Sequence, residues 1–459
     1  MSAEAAIQTF DRQQEALLFD LLAFLRFETI SAQSEHATDM RACAAWICGQ
    51  LDAADIEARM VDTDGHPLVV ADSGPVPGNA AAPTLLFYGH YDVQPVGDLA
   101  LWHSPPFEPT IRDGAIFARG SADDKGQLMT HLAAMRCWRQ TGSPLPVRVK
   151  FIIEGEEEIG SRNLPLYLRN HAAELACDYL VISDTSKLDA QTPALAYATR
   201  GLVYKEIILT GPNRDLHSGQ YGGAVANPAN VLAAILNSLR DHQGRVTIPG
   251  FYDDVVPLTP EERQRLGTHG LSDADLVAKT GCPSPSGETG YTTAERCTAR
   301  PTLDVNGLCA GYTGEGAATV IPTTATAKLS MRLVGNQNPD AISLAFDEAV
   351  RQVCPPTVKL TIRNHSHCAA YLAPTDSPGM RAAAQALADS FGRPPVLTRE
   401  GGTLPILPLF KEVLGADSLM LGFSVPDCNL HSPNEFFHVA DFVAGTRCIL
   451  RFIERLGHM

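Results

Sequence analysis

The chain predicts an α/β protein with a mixed sheet flanked by helices, interrupted by an inserted α+β unit. Three observations carry this expectation. The 459 residues exceed what one ordinary core covers, so two domains are the natural division. Apolar strand-like runs alternate with helical ones through the first 195 residues, the rhythm of an α/β sheet. The character then changes near Ala196 and returns after about residue 371. The expected division is therefore 1–195 and 372–459 as one discontinuous domain and 196–371 as the insertion.

The elements follow in order. EALLFDLLAFLRF (15–27) and ACAAWICGQL (42–51) space their apolar residues as helices do, and GHPLVVAD switches to a strand-like run. TLLFYGH (84–90), helical GQLMTHLAAMRCWRQ (126–140), VRVKFIIEGEEE (147–158) and YLVISD (179–184) continue the alternation. Several strands end in His, Asp or Glu, and α/β sheets gather ligands outside their strand ends. In the insertion GLVYKEIILTG, TATAKLSMRLV and TVKLTIRN read as strands, and NPANVLAAILNSLRDH and DAISLAFDEAVRQV as helices. Residues 281–297, rich in Pro, Gly, Ser and Thr, read as a long surface loop whose role stays open. MRAAAQALADSFG, SLMLGF and VADFVAGTRCILRFIERL resume the α/β pattern.

Composition excludes several classes. A formal charge of −16, with no long Lys/Arg run, argues against nucleic acid as a partner. No stretch approaches eighteen uninterrupted apolar residues and the first residues carry no basic or apolar leader, so no membrane partner is expected. Eleven cysteines, an odd total without a Cys-x-x-Cys pair, fit free thiols in a reducing, cytoplasmic compartment.

The chemistry-bearing residues are scattered. GHYD holds His90 and Asp92, SADDKG Asp123 and Asp124, EGEEEIGS Glu157 and Glu158, SD Asp184, and NLHSPNE His431. Singly each is weak: a His after a strand is commonly a satisfied hydrogen-bonding residue, and an Asp pair beside Gly a turn or cap. Together they supply the imidazole and carboxylate donors that two divalent metals need, with one carboxylate free to bridge.

With GHYDVQP, RGSADDKGQ, EGEEEIGS, DLHSGQYGG, REGGTLPI and NLHSPNE, the chain resembles the co-catalytic di-zinc metallopeptidases that include glutamate carboxypeptidase, aminoacylase, succinyl-diaminopimelate desuccinylase and carnosinase. The likeness runs from about residue 15 to the C-terminus, without departure at the metal positions, and lies nearest the dipeptidase branch. It implies a zinc-peptidase-like catalytic domain with an inserted lid and dimerisation domain. It implies two divalent metal ions per subunit, zinc with manganese or cobalt as alternatives. His90 and Asp184 would bind one, Glu158 and His431 the other, and Asp123 would bridge them.

The resemblance assigns further roles. Asp92 would orient His90 by accepting its other N–H. Glu157 would be the general base, pointing away from Glu158 because neighbours on extended backbone face opposite ways. His217 would stabilise the oxyanion in a homodimer partner's site. Arg332 would hold the substrate carboxylate, and Gly401, Gly402 and Thr403 would form a substrate loop. A cis peptide between Asp123 and Asp124 is also implied. The expected reaction is hydrolysis of a dipeptide or short peptide with a free carboxylate. An N-acyl or N-carbamoyl amino-acid amidohydrolase is the rival, and a non-catalytic peptide-binding module a remote one.

Overall fold

The computed structural model describes residues 3–458. They form two compact units: one reaching to Tyr197 and including Ala373–Thr398 and the chain from Leu409, the other Ala198–Leu372 with Arg399–Pro408.

In the first unit, strands Glu57–Val61, Leu68–Asp72, Arg148–Glu154, Thr84–His90, Tyr179–Ile182, Asp417–Met420 and Ala194–Thr199 lie side by side in that order. Thr84–His90 runs parallel to both Arg148–Glu154 and Tyr179–Ile182, and Asp417–Met420 parallel to Tyr179–Ile182. Leu68–Asp72 pairs antiparallel with its neighbours, which makes the sheet mixed. The central strands are buried almost throughout, as expected where helices cover both faces, and so read as continuous apolar runs. Helix Lys125–Gln140 packs on Ala3–Phe24 and Val439–Gly457, and the latter on Pro378–Phe391. Parallel alignment sends three strand ends to one edge, where His90 lies opposite Glu154 and Ile182 leads into Asp184.

The second unit is an antiparallel sheet ordered Thr302–Ala310, Thr324–Leu333, Gly201–Thr210 and Lys359–Cys368. Gly201–Thr210 alternates buried and part-buried residues, the period of a sheet with one covered face. Helices Pro228–Ser238 and Pro339–Val353 cover it, burying Leu232, Ile235, Ile342, Phe346 and Val350 against Ile207 and Leu329. Both helices start the same way. Asn227 and Asn338 accept backbone N–H groups of the first turn, and a proline follows where its missing N–H costs nothing.

Residues 399–408, which the sequence places with the returning segment, cluster instead with the second unit. The cause is polar: Arg399 pairs with Glu262, the Arg200 N–H donates to Gly402 O, and Arg332 Nη1 donates to Thr403 Oγ1 at 2.6 Å. The stretch 281–297 ends in helix Thr293–Thr298, whose capping box joins Thr292 to Glu295. No described helix is long and apolar enough to cross a membrane, and the eleven cysteines are free.

Candidate metal centre and substrate-binding residues

Five of the predicted residues converge as two donor sets that share Asp123: His90, Asp123 and Asp184, and Asp123, Glu158 and His431. His90 Nε2 lies 3.0 Å from Asp123 Oδ1 and 3.9 Å from Asp184 Oδ2. His431 Nε2 lies 3.0 Å from Asp123 Oδ2 and 3.4 Å from Glu158 Oε2. Each oxygen of one carboxylate thus faces a different histidine, the disposition a bridging ligand requires.

The donor atoms fit cations better than they fit each other. His90 Nε2 and Glu158 Oε1 are buried without a hydrogen-bond partner, although carboxylate oxygens lie close to the imidazole. Burial, and the neighbouring carboxylates acting against His90, push Glu157 up to about 7 and Asp184 well above the usual range. Burial likewise pushes Asp124 up to about 8. A nest of carboxylates held this far from water is stabilised by positive charge, and imidazole with carboxylate suits zinc, manganese or cobalt.

Local structure aims each donor. Gly89 precedes His90 because a Cβ there would stand 2.8 Å from Asp124 Oδ2. The Asp123–Asp124 peptide is cis, as the resemblance implies. His431 adopts φ of 58°, in a loop where Asn429 and Asn434 are also left-handed. Such backbone is uncommon for a histidine and persists where surroundings over-determine it. Here Asn434 bonds both Leu101 O and the His103 N–H, and the Phe436 N–H closes onto Cys428 O.

Asp92 does more than the sequence suggests. His90 Nδ1 lies 3.1 Å from the Asp92 carbonyl and 3.4 Å from its carboxylate. The two carboxylate oxygens meanwhile accept the backbone N–H groups of Glu157 and Glu158, at 3.2 and 3.1 Å. Asp92 therefore fixes both the imidazole and the turn that carries Glu157 and Glu158. That turn corrects one expectation: Glu157–Ile159 is a short 3-10 helix, not extended strand. Successive side chains still diverge, because a 3-10 turn rotates about a third of a circle per residue.

Three supporting residues escaped sequence reasoning. Gln94 Nε2 donates to Glu158 Oε2 at 2.9 Å. Glu435, 1 % exposed, accepts Arg119 Nη1 and the backbone N–H groups of Gly120, Ala122 and Asp123. His131, also buried, pairs through Nε2 with Ser183 Oγ, next to Asp184. Gln94 and Glu435 lie inside the recognised motifs, which was the available signal; His131 offered none beyond its place on an apolar helix.

In the second unit, Arg332 and Thr403 meet directly, and Arg200 Nε donates to Gly401 O at 2.8 Å, so the predicted arginine and loop form one assembly. His217 joins neither group by a hydrogen bond or ion pair among the described residues. It is exposed, its backbone pairs with Val320, and its Nδ1 accepts the Gly219 N–H at 3.0 Å. That acceptor role leaves the imidazole proton on Nε2.

The model of peptidase family M20/M25/M40 matches residues 86–455. The chain is 31% identical over 406 residues to a human Beta-Ala-His dipeptidase, covering 86% of this chain and 78% of that one. It is 33% identical over 402 residues to a Cys-Gly metallodipeptidase of Candida albicans, covering 85% and 81%. Among solved structures, an M20 family metallo-carboxypeptidase from Sulfolobus solfataricus superposes with a TM-score of 0.83 at 32% identity, covering 96% of this chain and 99% of that chain. With this match spanning most of its length and the shared-carboxylate donor sets in place, the chain belongs to peptidase family M20/M25/M40.

Proposed function

We propose that this protein is a metallodipeptidase that cleaves dipeptides with a free carboxylate by way of a two-cation centre. The observation that carries the reading is Asp123, whose two oxygens each stand 3.0 Å from a different histidine. Relatives named for dipeptide hydrolysis, Cys-Gly and Beta-Ala-His, support this substrate class. His90 and Asp184 would hold one ion, Glu158 and His431 the other, with Asp123 between. Zinc is the proposed metal, and the same donors accept manganese or cobalt.

Bound there, two divalent cations would acidify a water and polarise the scissile carbonyl. The protein's own residues supply the rest. Glu157 takes the proton of the attacking water and delivers it to the leaving amine. Asp92 keeps His90 and the Glu157 turn in register. Arg332 holds the substrate carboxylate, and Thr403 fixes that guanidinium. His217 presents an Nε2–H donor suited to a developing oxyanion.

We also propose a homodimer through the inserted unit. Strand Thr302–Ala310 is an edge of its sheet and exposes Val305 and Leu308, at 45 % and 65 %. An edge with unpaired backbone groups and exposed apolar side chains is suited to a second copy. The free cysteines support a cytoplasmic setting.

The deciding experiment assays metal-loaded protein on dipeptides and on N-acyl and N-carbamoyl amino acids. Dipeptides should be the better substrates. Faster turnover of the acyl or carbamoyl compounds would replace the reading with an amidohydrolase.

A further inference from the structure

The second unit contains a cavity of about 530 Å³ whose lining includes five arginines, Arg200, Arg240, Arg296, Arg300 and Arg332, against only Glu288 and Asp304. In a protein of formal charge −16, a recess with this surplus of positive charge calls for an explanation. The segment 286–297, whose role the sequence left open, forms part of its wall.

The arginines are not equivalent. Arg300 is satisfied: it forms a two-pronged pair with Glu288 at 2.7 and 2.8 Å and stacks on Tyr291. Arg296 donates to the carbonyls of Glu288 and Ser286, which ties down its own loop. Arg240 is exposed. Arg200 and Arg332 differ from all three. Both are part-buried, both line the cavity, and neither has a carboxylate partner within ion-pair distance among the described residues.

Their remaining bonds fix them in place. Arg200 Nε donates to Gly401 O and its backbone N–H to Gly402 O, so its guanidinium is anchored at one edge only. Arg332 spends Nη1 on Thr403 Oγ1. Gly401 is needed because a Cβ would stand 2.9 Å from the carbonyl of Cys297, in the cavity wall. The loop is thereby clamped beside both guanidiniums. Burial first, then the Arg332 charge, lower the pKa of Arg200, which is the signature of two cations sharing a confined space. An arginine does not relieve that repulsion by losing its proton at neutral pH, so the pair favours a bound anion.

We infer that Arg200 is a second carboxylate-binding residue, forming with Arg332 a paired-guanidinium seat that selects substrates with a free terminal carboxylate. The inference deepens the dipeptidase reading and rests on it. One planar carboxylate offers two oxygens and about four lone-pair directions, enough to accept from two forks at once. An uncharged amide at the same place leaves the two cations uncompensated.

The test compares a dipeptide with its C-terminal amide on metal-loaded wild type, Arg200→Met and Arg200→Lys. Wild type should strongly prefer the free acid. Arg200→Met should lower kcat/KM for the acid, mainly through KM, by about 10- to 100-fold more than for the amide. Arg200→Lys should recover part of the preference, because charge remains while the fork is lost. An equal loss on both substrates in Arg200→Met would mean that Arg200 only braces the Gly401 loop, overturning the inference and leaving the dipeptidase reading standing. A variant as selective as wild type would do the same. Wild type without dipeptide hydrolysis, or without preference for the acid, would overturn both.

Discussion

Glu435 Oε1 accepts the backbone N–H of Asp123 at 3.1 Å, so one buried carboxylate anchors both the residue shared by the two donor sets and the loop that carries His431. Its other oxygen accepts Arg119 Nη1 at 2.7 Å and the Gly120 N–H at 3.0 Å. Glu435→Ala removes the partner of a buried guanidinium, a class of change that costs about 3–5 kcal/mol. Glu435→Gln keeps the shape and should fold, yet bind the metals about 10- to 100-fold more weakly, as loss of ligand-orienting groups does. Equilibrium dialysis of the Gln variant against buffered zinc checks this. Unchanged affinity would reduce Glu435 to a purely structural residue.

Glu157 and Glu158 are neighbours with opposite expected phenotypes. Glu157→Ala should retain metal close to the wild-type content and lose about 10²–10⁴ in kcat, the contribution of a positioned general base. Glu158→Ala should lose metal, because it removes one of the three donors of the second set and the acceptor of Gln94. Metal analysis and kcat on both variants separate the roles. Near-normal turnover in the first would contradict the assignment of the base.

Much of this architecture is legible in the order of the residues alone. Runs such as TLLFYGH and VRVKFIIE are apolar throughout because both faces of their strands are covered, and the polar residues after them mark the edge where ligands collect. The Asn-Pro starts of two helices announce themselves for the same local reason. What stays hidden depends on distant pairing. Asp92 receives N–H groups from residues 65 and 66 positions later only because two strands align in parallel. Glu435 in a polar motif reads as solvated until the Arg119 pairing buries it. The allegiance of 399–408 is set by Arg200 and Arg332, which no periodicity reveals.

Removing the metals should weaken the fold as well as the chemistry. Burial and mutual repulsion already raise the Glu157 and Asp184 pKa values, so an empty centre keeps carboxylates at a cost that cations offset. A ligand at a thousand times its Kd stabilises by about 4 kcal/mol. Chelated protein should therefore melt several degrees lower, and recover as zinc is titrated back. An unchanged Tm after verified metal removal would count against a shared buried centre.

His131 sets an acid limit on stability. Burial holds its pKa down at about 3, and one ring nitrogen is occupied by Ser183 Oγ at 2.8 Å. The unfolded chain takes up this proton near the ordinary value of about 6.5. The folded-state pKa is depressed, so the unfolded state binds more protons between those values, and stability falls as pH drops through that window. The contribution is fully present above about 6.5 and is lost toward 3, at up to about 1.4 kcal/mol per pH unit. Urea unfolding at pH 7 and 5.5 should show a larger loss for wild type than for His131→Gln. Parallel losses would remove His131 as the cause.

The shared-site reading of His217 makes a prediction that a single-chain site cannot match. His217 bonds to no metal donor among the described residues, its Nδ1 is taken by the Gly219 N–H, and its Nε2–H is left as a donor. Donation to an oxyanion is worth about 2.7–4 kcal/mol where comparable donors have been removed, so His217→Ala should lose about 10²- to 10³-fold in kcat. Glu157→Ala should be inactive for a different reason, the loss of the proposed base. In a dimer whose His217 serves the neighbouring subunit, mixing the two variants under subunit exchange creates one site with both lesions and one with neither. Activity should then return toward a quarter of the wild-type value, because half the dimers are mixed and each has one intact site. If His217 serves its own chain, every site in the mixed dimer keeps one lesion and no activity returns. Size-exclusion and mass measurements must first show that mixed dimers have formed. Silence after proven exchange would end the shared-site reading, while the assignments of Asp123, Glu157 and Glu158 would stand on their own tests.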